Sequence, residues 1–271
     1  MSSYVITGVS RGLGWEFVTQ LSSIPGNTVI GLVRNKAATD KRVSEELPGR
    51  ANITILEADV TDYDALKKAA ADTALITGGS LDYLFGNAAY APLDDQLCGF
   101  DYLGAKPDTL SSEFHRIMET NVLGNIHLYN LFLPLILKGK AKKIISISSG
   151  MADTDLTTEF DIENAAIYSA SKSALNMIVA KFSAQYKKHG VLFLGICPGL
   201  VETGIFESVP PEQLGSLQSL VGKLQAYAPH FKGSDKPPEA IKAVLGVVDK
   251  CSVEGGHGGA FLSHFGNKQW L

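Results

Sequence analysis

The spacing of apolar and polar positions changes repeatedly along the chain. Tyr4–Thr7 is a short apolar run closed by Gly8, which predicts a buried strand. Gly14–Leu21 then brings Phe17, Val18 and Leu21 to one side of a helix. Strand-like runs recur at Thr28–Val33, Ile53–Leu56, Leu81–Phe85, Lys143–Ile147 and Val191–Ile196. Helical spacing returns at Tyr63–Ile76, Ser111–Leu137 and Ala165–Lys188, with Ser111 and Ser112 as cap residues for the second of these. The strand runs are continuously apolar rather than alternating, the pattern of strands covered on both faces. This order predicts one α/β domain over residues 1–271. It is a single Rossmann-type, doubly wound parallel sheet with helices on both faces and right-handed crossovers. Ligands of such a sheet lie beyond the carboxyl ends of its strands.

The link between the first strand and first helix reads Thr7-Gly8-Val9-Ser10-Arg11-Gly12-Leu13-Gly14. Glycine lets backbone approach a diphosphate closely, and the following helix N-terminus offers free amides and partial positive charge. Its spacing differs from the Gly-x-Gly-x-x-Gly of most dinucleotide folds.

Ordered motifs follow it: Asp59-Val60, Asn87-Ala88-Ala89, Asn121, Ile147-Ser148-Ser149, Tyr168-x-x-x-Lys172 and Pro198-Gly199-Leu200-Val201-Glu202-Thr203. Together they resemble the short-chain dehydrogenase/reductase family, over residues 3 to about 205. Val33-Arg34-Asn35, Ser171–Asn176 and Pro198-Gly199 look most like its sniffer-like carbonyl reductase branch. The resemblance implies a cofactor site at Gly8, Ser10, Arg11, Gly12, Leu13, Gly14, Arg34, Asp59, Val60, Asn87, Ala88, Tyr168, Lys172, Pro198, Gly199, Val201 and Thr203. Two departures stand out. Ala89 replaces a glycine near the cofactor, and Ser149 and Tyr168 are further apart than is usual.

Tyr168 and Lys172 share one helix face. A nearby ammonium lowers the cost of a phenolate, so Tyr168 can serve as general acid in reduction. Ser149, at a strand's carboxyl end, would hold the substrate oxygen. The resemblance adds that Lys172 binds the nicotinamide ribose and that Asn121 holds a water in a relay to Lys172. The catalytic set is thus Asn121, Ser149, Tyr168 and Lys172. Arg34 stands where an NAD-selective site places a carboxylate, with Lys36 and Arg11 close by, which points to NADPH. A catalytically weak NADPH-binding regulator is the alternative, although such proteins usually lose the tyrosine or lysine. A methyltransferase would need an acid where Arg34 stands.

Three segments should surround the reacting carbonyl: Tyr90–Asp108, Gly150–Ala165 and Glu202–Lys236, the last as an apolar lid. The middle one carries Asp153, Asp155, Glu159, Asp161 and Glu163 without a Lys or Arg. Facing the pocket mouth, these would repel anions and favour a neutral, largely apolar ketone or aldehyde.

Composition narrows the remaining classes. A net charge of −4 disfavours a nucleic-acid partner. Cys98, Cys197 and Cys251 are odd in number and form no Cys-x-x-Cys, so neither disulfide framework nor metal site is indicated. With no signal-like start and no apolar run long enough for a bilayer, the expectation is a cytoplasmic protein without a membrane partner. His257 and His264 have no metal-pair spacing, and no Gly-x-Ser-x-Gly elbow suggests a serine hydrolase. Leu128–Leu137 is apolar nearly all round, which predicts pairing with a second copy in a homodimer or homotetramer. In the family the two long helices commonly form that interface.

Overall fold

The computed structural model describes residues 1–206 and 208–271; Glu207, inside the expected lid, lies outside them. Seven parallel strands form one sheet in the order β3-β2-β1-β4-β5-β6-β7. They are β1 (Ser3–Thr7), β2 (Thr28–Val33), β3 (Ile53–Glu57), β4 (Tyr83–Gly86), β5 (Lys143–Ile147), β6 (Leu192–Cys197) and β7 (Phe261–Ser263). In register, Val5 of β1 faces Ile30 of β2 and Leu84 of β4.

Strand side chains point alternately to opposite faces, and both faces here are apolar. Ile6, Val29, Phe85, Ile145 and Leu194 enter one core, while their neighbours Val5, Ile30, Leu84, Ile144 and Phe193 enter the other. The first core is covered by α1 (Gly12–Ser22) and α11 (Pro237–Lys250), through Phe17, Val18, Ile241 and Val244. The second is covered by α3 (Tyr63–Thr77), α7 (Gly124–Ile136) and α9 (Ala166–Tyr186), through Leu66, Phe132 and Val179. The doubly wound architecture is therefore as the hydrophobic pattern predicts. From β1 the chain winds out to β3, then returns to β4 on the other side. That reversal opens a crevice at the carboxyl ends of β1 and β4.

Several boundaries differ from expectation. The long helix over Ser111–Leu137 is α6 (Pro107–Met118), a π-helical turn (Glu119–Leu123) and α7. Pro107 opens α6, so Ser111 and Ser112 lie inside it and are not caps. α9 ends at Tyr186 and a 3₁₀ turn follows. α2 (Lys36–Glu46) buries only Thr39, and so shows no apolar stripe in sequence. α4 (Leu93–Leu97), α5 (Phe100–Gly104), α8 (Thr154–Glu159) and α10 (Leu214–Tyr227) lie in the connections.

The apolar stretch Leu128–Leu137 is used within the chain. Leu128, Tyr129, Phe132, Leu133, Leu135 and Ile136 are all buried against the sheet and α9. Most of the stretch is thus taken up within the chain, and Leu131, Pro134 and Leu137 are what it leaves partly or fully exposed. No described helix is long and apolar enough to cross a membrane.

Candidate active site

The glycine loop is built around close backbone contacts. Gly8 and Gly12 take positive φ, +72° and +57°, which side-chain-bearing residues rarely adopt. A Cβ on Gly14 would lie 2.2 Å from the Gly8 carbonyl oxygen, so α1 can press onto the loop only as glycine. Asn87 locks the arrangement from β4. Its Nδ2 donates to the Thr7 carbonyl at 2.8 Å, and its backbone amide donates to Thr7 Oγ1 at 2.9 Å. Arg11, at the N-cap of α1, makes no side-chain cap, so the first amides of that helix remain open to the loop. Arg42, which the sequence reading passed over, donates to the Ser10 carbonyl at 2.9 Å and lies over the Trp15 ring at 4.1 Å.

Above this loop a cavity of about 720 Å³ crosses the carboxyl ends of the strands. Gly8, Ser10, Arg11, Gly12, Leu13, Gly14, Arg34, Asp59, Val60, Asn87, Ala88, Tyr168, Lys172 and Thr203 all line it. Ala89, the glycine replacement, lines it too, as do Tyr90, Arg116 and Glu119. Pro198, Gly199 and Val201 stand outside the lining. Gly199 (φ +85°) passes so close to the His264 ring that a Cβ would meet it at 2.8 Å, and Val201 bridges to Asp235. Lys36 pairs with Asp40 on α2 rather than facing the cavity.

α9 carries Tyr168 and Lys172 to the cavity, one turn apart. Lys172 is 2% exposed, and its Nζ donates to the Ile147 carbonyl at 2.7 Å. Burial pulls its ammonium down to about 8, with the Cys197 thiol acting in the opposite direction. Burial pushes the Tyr168 phenol well above its ordinary value; Cys197 and Asp95 raise it further, while a hydrogen bond with Ser149 lowers it. Cys197 lies beneath this group, its Sγ accepting from the amides of Gly150 at 3.1 Å and Gly199 at 3.4 Å. Ser149 also accepts from the Met151 amide at 3.2 Å. Ser148 is buried, and its hydroxyl has no partner among the described residues. Ser149 is thus the serine of the pair that meets Tyr168.

Asn121 sits in the π-helical turn and is fully buried. Its Oδ1 accepts from the Tyr90 amide at 2.7 Å, and its Nδ2 donates to the Tyr90 carbonyl and to Ser171 Oγ. The Asn121 carbonyl accepts from Asn125 Nδ2 at 2.9 Å. The side chain is therefore taken up as a brace between the Tyr90 loop and α9.

The acidic segment is not arranged as its sequence predicts. Asp153 accepts from Trp270 Nε1 at 2.9 Å, and Glu163 pairs with Lys223 of α10. Asp155, Glu159 and Asp161 are exposed, and none of the five lines the cavity. The charged groups that do line it are mixed, Arg11, Arg34, Arg116 and Lys172 with Asp59 and Glu119, so the acids of this segment do not set the charge of the cavity wall. The lid residues largely pack among themselves. Leu220, Leu224, Tyr227 and Phe231 join Met151, Leu156 and Phe160 around Trp270, with Ile205 reaching the cavity.

A nicotinamide dinucleotide fits the cleft on chemical grounds. Open glycine-loop amides suit a diphosphate, and Arg34 at the end of β2, with Arg11 of the loop, suits a further phosphate. At the other end is a buried ammonium whose one protein acceptor, among the described residues, is a carbonyl.

Such a cleft, with tyrosine and lysine one helical turn apart at its floor, defines a nucleotide-dependent oxidoreductase. Residues 3–214 match the sequence model of the short chain dehydrogenases, and the chain belongs to that family of nicotinamide-cofactor oxidoreductases. It is 51% identical over 271 residues to the short chain dehydrogenase virK of Hypocrea virens, with 100% of both chains covered. It is also 51% identical over 272 residues to the short-chain dehydrogenase/reductase iacC of Pestalotiopsis fici, again covering 100% of both. Two solved structures share the fold at 24% identity. An NADPH bound carbonyl reductase from chicken fatty liver has a TM-score of 0.78, covering 100% of this chain and 99% of its own. The carbonyl reductase Sniffer of D. melanogaster has a TM-score of 0.77, covering 98% of each.

Proposed function

We propose that this protein is an NADPH-dependent reductase of neutral, largely apolar ketones or aldehydes, with Tyr168 as proton donor. The observation that carries this reading is the Tyr168 phenol, half-buried on the lining of the cleft beside a buried ammonium. It lies within hydrogen-bond reach of Ser149 and one helical turn from the Lys172 ammonium. When bound, NADPH supplies a hydride to the carbonyl carbon. Ser149 and Tyr168 hold the carbonyl oxygen, and Tyr168 transfers its phenolic proton to that oxygen as the alkoxide charge develops. Lys172 stabilises the resulting phenolate by its charge and orients the cofactor ribose. Arg34 and Arg11 would hold the 2′-phosphate of NADPH, since a guanidinium suits a phosphate's paired oxygens. Ala89, Tyr90, Ala91 and Ile147 on the cavity wall support an apolar substrate, with the segment 202–236, whose Ile205 reaches the cavity, acting as its lid.

The test is initial-rate kinetics with a panel of ketones, quinones and aldehydes and both cofactors. NADPH turnover should far exceed NADH turnover. Arg34→Asp should raise KM for NADPH and spare NADH. Tyr168→Phe should bind NADPH normally yet lose about 10²–10⁴-fold in kcat. Equal efficiency with both cofactors, or full activity in Tyr168→Phe, would overturn the proposal. NADPH binding without turnover of any carbonyl would favour the regulator.

A further inference from the structure

The helix that carries Tyr168 has no cap of its own. Ala165 precedes it with left-handed backbone, φ +56°, and brings no hydrogen-bonding side chain. The cap comes from α4, more than 70 positions upstream. Asp95 Oδ1 accepts from the Ile167 amide at 2.8 Å, and Asp95 Oδ2 accepts from the Tyr168 amide at 2.9 Å. The Asp95 carbonyl accepts from the Ala165 amide at 2.7 Å. Alongside, Asn164 Nδ2 donates to the Leu97 carbonyl at 2.7 Å. Asp95 is 1% exposed, and among the described residues no cation pairs with it. Its compensation is the amide end of one helix, which is also that helix's positive end.

We propose that Asp95 is a positioning residue for Tyr168. Its buried carboxylate fixes the backbone of that tyrosine, and its negative charge opposes ionisation of the phenol, which keeps Tyr168 in the proton-donating form. This rests on reading Tyr168 as the proton donor.

The chemistry of the side chain is specific. A carboxylate presents an acceptor to each of the two amides, whereas an asparagine would turn an NH₂ toward one of them. Asp95 is shut off from solvent, so little water screens its charge where it meets the helix of Tyr168. The groups facing Tyr168 are Lys172 on its own helix, Cys197 from β6, the Ser149 hydroxyl from the loop after β5, and Asp95 from α4. Those facing Asp95 are Glu113 of α6, Gln96 beside it, and Cys98. Burial raises the Asp95 carboxyl above its ordinary value, while the two amides hold it down. The adjacent Asp94 is exposed and turned elsewhere, accepting from Gln213 Nε2 at 2.8 Å and from the Tyr102 hydroxyl. It provides a matched control of equal charge.

The experiment titrates tyrosines labelled with ¹³C at Cζ by NMR in the full chain, without substrate. The Tyr168 signal is identified by its loss in Tyr168→Phe. Asp95→Asn should move its titration down by about one pH unit, and Asp94→Asn should leave it in place. Hydrogen exchange at the Ile167 and Tyr168 amides should speed up about tenfold in Asp95→Asn. Steady-state kinetics should show a lower kcat with KM for NADPH unchanged, and the alkaline limb of the kcat profile displaced to lower pH. Asp95→Ser, smaller and also uncharged, is carried in parallel in case the asparagine variant does not fold. Asp95→Glu, which keeps the charge, should titrate nearer the parent protein. An unmoved Tyr168 titration in both uncharged variants, or an equal shift in Asp94→Asn, would overturn the proposal. The NMR and exchange readouts need no turnover. Failure of the reductase reading appears separately, as activity retained in Tyr168→Phe.

Discussion

Lys172 shows how one buried charge bears on both the proposed chemistry and the stability of the fold. Its folded-state value near 8 lies below the ordinary lysine value of 10.5 because burial removes water and one carbonyl is a weak replacement. Between those two values the unfolded chain binds more protons than the folded one, so stability rises with pH across that window. Below it, the folded protein bears the full cost of the buried ammonium. Lys172→Met should therefore abolish turnover yet stabilise the cofactor-free protein, by on the order of 1–3 kcal/mol at pH 7. The gain should shrink as pH climbs from about 8 toward 10.5. Thermal melts of both proteins across pH 6–10, differenced at each pH, give the check. A variant less stable at pH 7, with a gap independent of pH, would contradict this account. The Tyr168–Lys172 pair is legible in sequence because four positions make one helical turn. Asp95 is not, because a cap supplied from α4 leaves no local signal beside Tyr168. Arg116 is equally silent in sequence, since its place on the cavity wall follows from how α6 packs on α9 and meets Tyr90.

At the scale of elements, the glycine loop offers a graded prediction. Gly14→Ala drives a methyl into the Gly8 carbonyl and within 2.7 Å of Asn87 Nδ2, with little room to yield. Gly12→Ala meets Thr203 at an ordinary 3.6 Å but strains a φ of +57°. The first should weaken NADPH binding on the order of tenfold or more and lower Tm clearly, and the second should do less of both. Fluorescence titration with NADPH separates the two cases. Most elements with a covered apolar face are legible: the six long strands, α1, α3 and α9 follow from runs of Val, Ile, Leu and Phe, while α11, which buries Ile241, Val244 and Val248, stands outside the predicted elements. Elements without one were missed. α2 is polar around nearly its whole circumference, and β7 has three residues with only Ser263 buried. The π-helical turn at Asn121 shifts helix register without changing residue type, so a long helix with a misplaced start was the natural reading.

Across the whole molecule, the C-terminal residues join parts distant in sequence. Trp270 stacks on Phe261 at 4.4 Å, donates from Nε1 to Asp153, and donates from its amide to the Tyr227 hydroxyl. It also lies against Gly150, next to Ser149, where a Cβ would come within 2.6 Å of it. Trp270→Ala should cost about 3–5 kcal/mol by leaving a cavity. Trp270→Phe keeps the stack, loses the Asp153 bond, and should cost about 1–3 kcal/mol. Denaturant melts measure both. Because the cluster borders Ser149, KM for the carbonyl substrate should rise in the same order, with KM for NADPH little changed.

All three thiols are free and buried. Cys98 follows α4, Cys197 closes β6 beneath Tyr168, and Cys251 follows α11, so each reports on a different part of the chain. To a thiol reagent the native protein is nearly silent, and colour develops only as fast as the structure opens. The rate of that reaction is then a clock for breathing of the molecule. Cys98 times the wall that bears Asp95, Cys197 the floor beneath Tyr168, and Cys251 the far core, and each can be isolated by changing the other two to alanine.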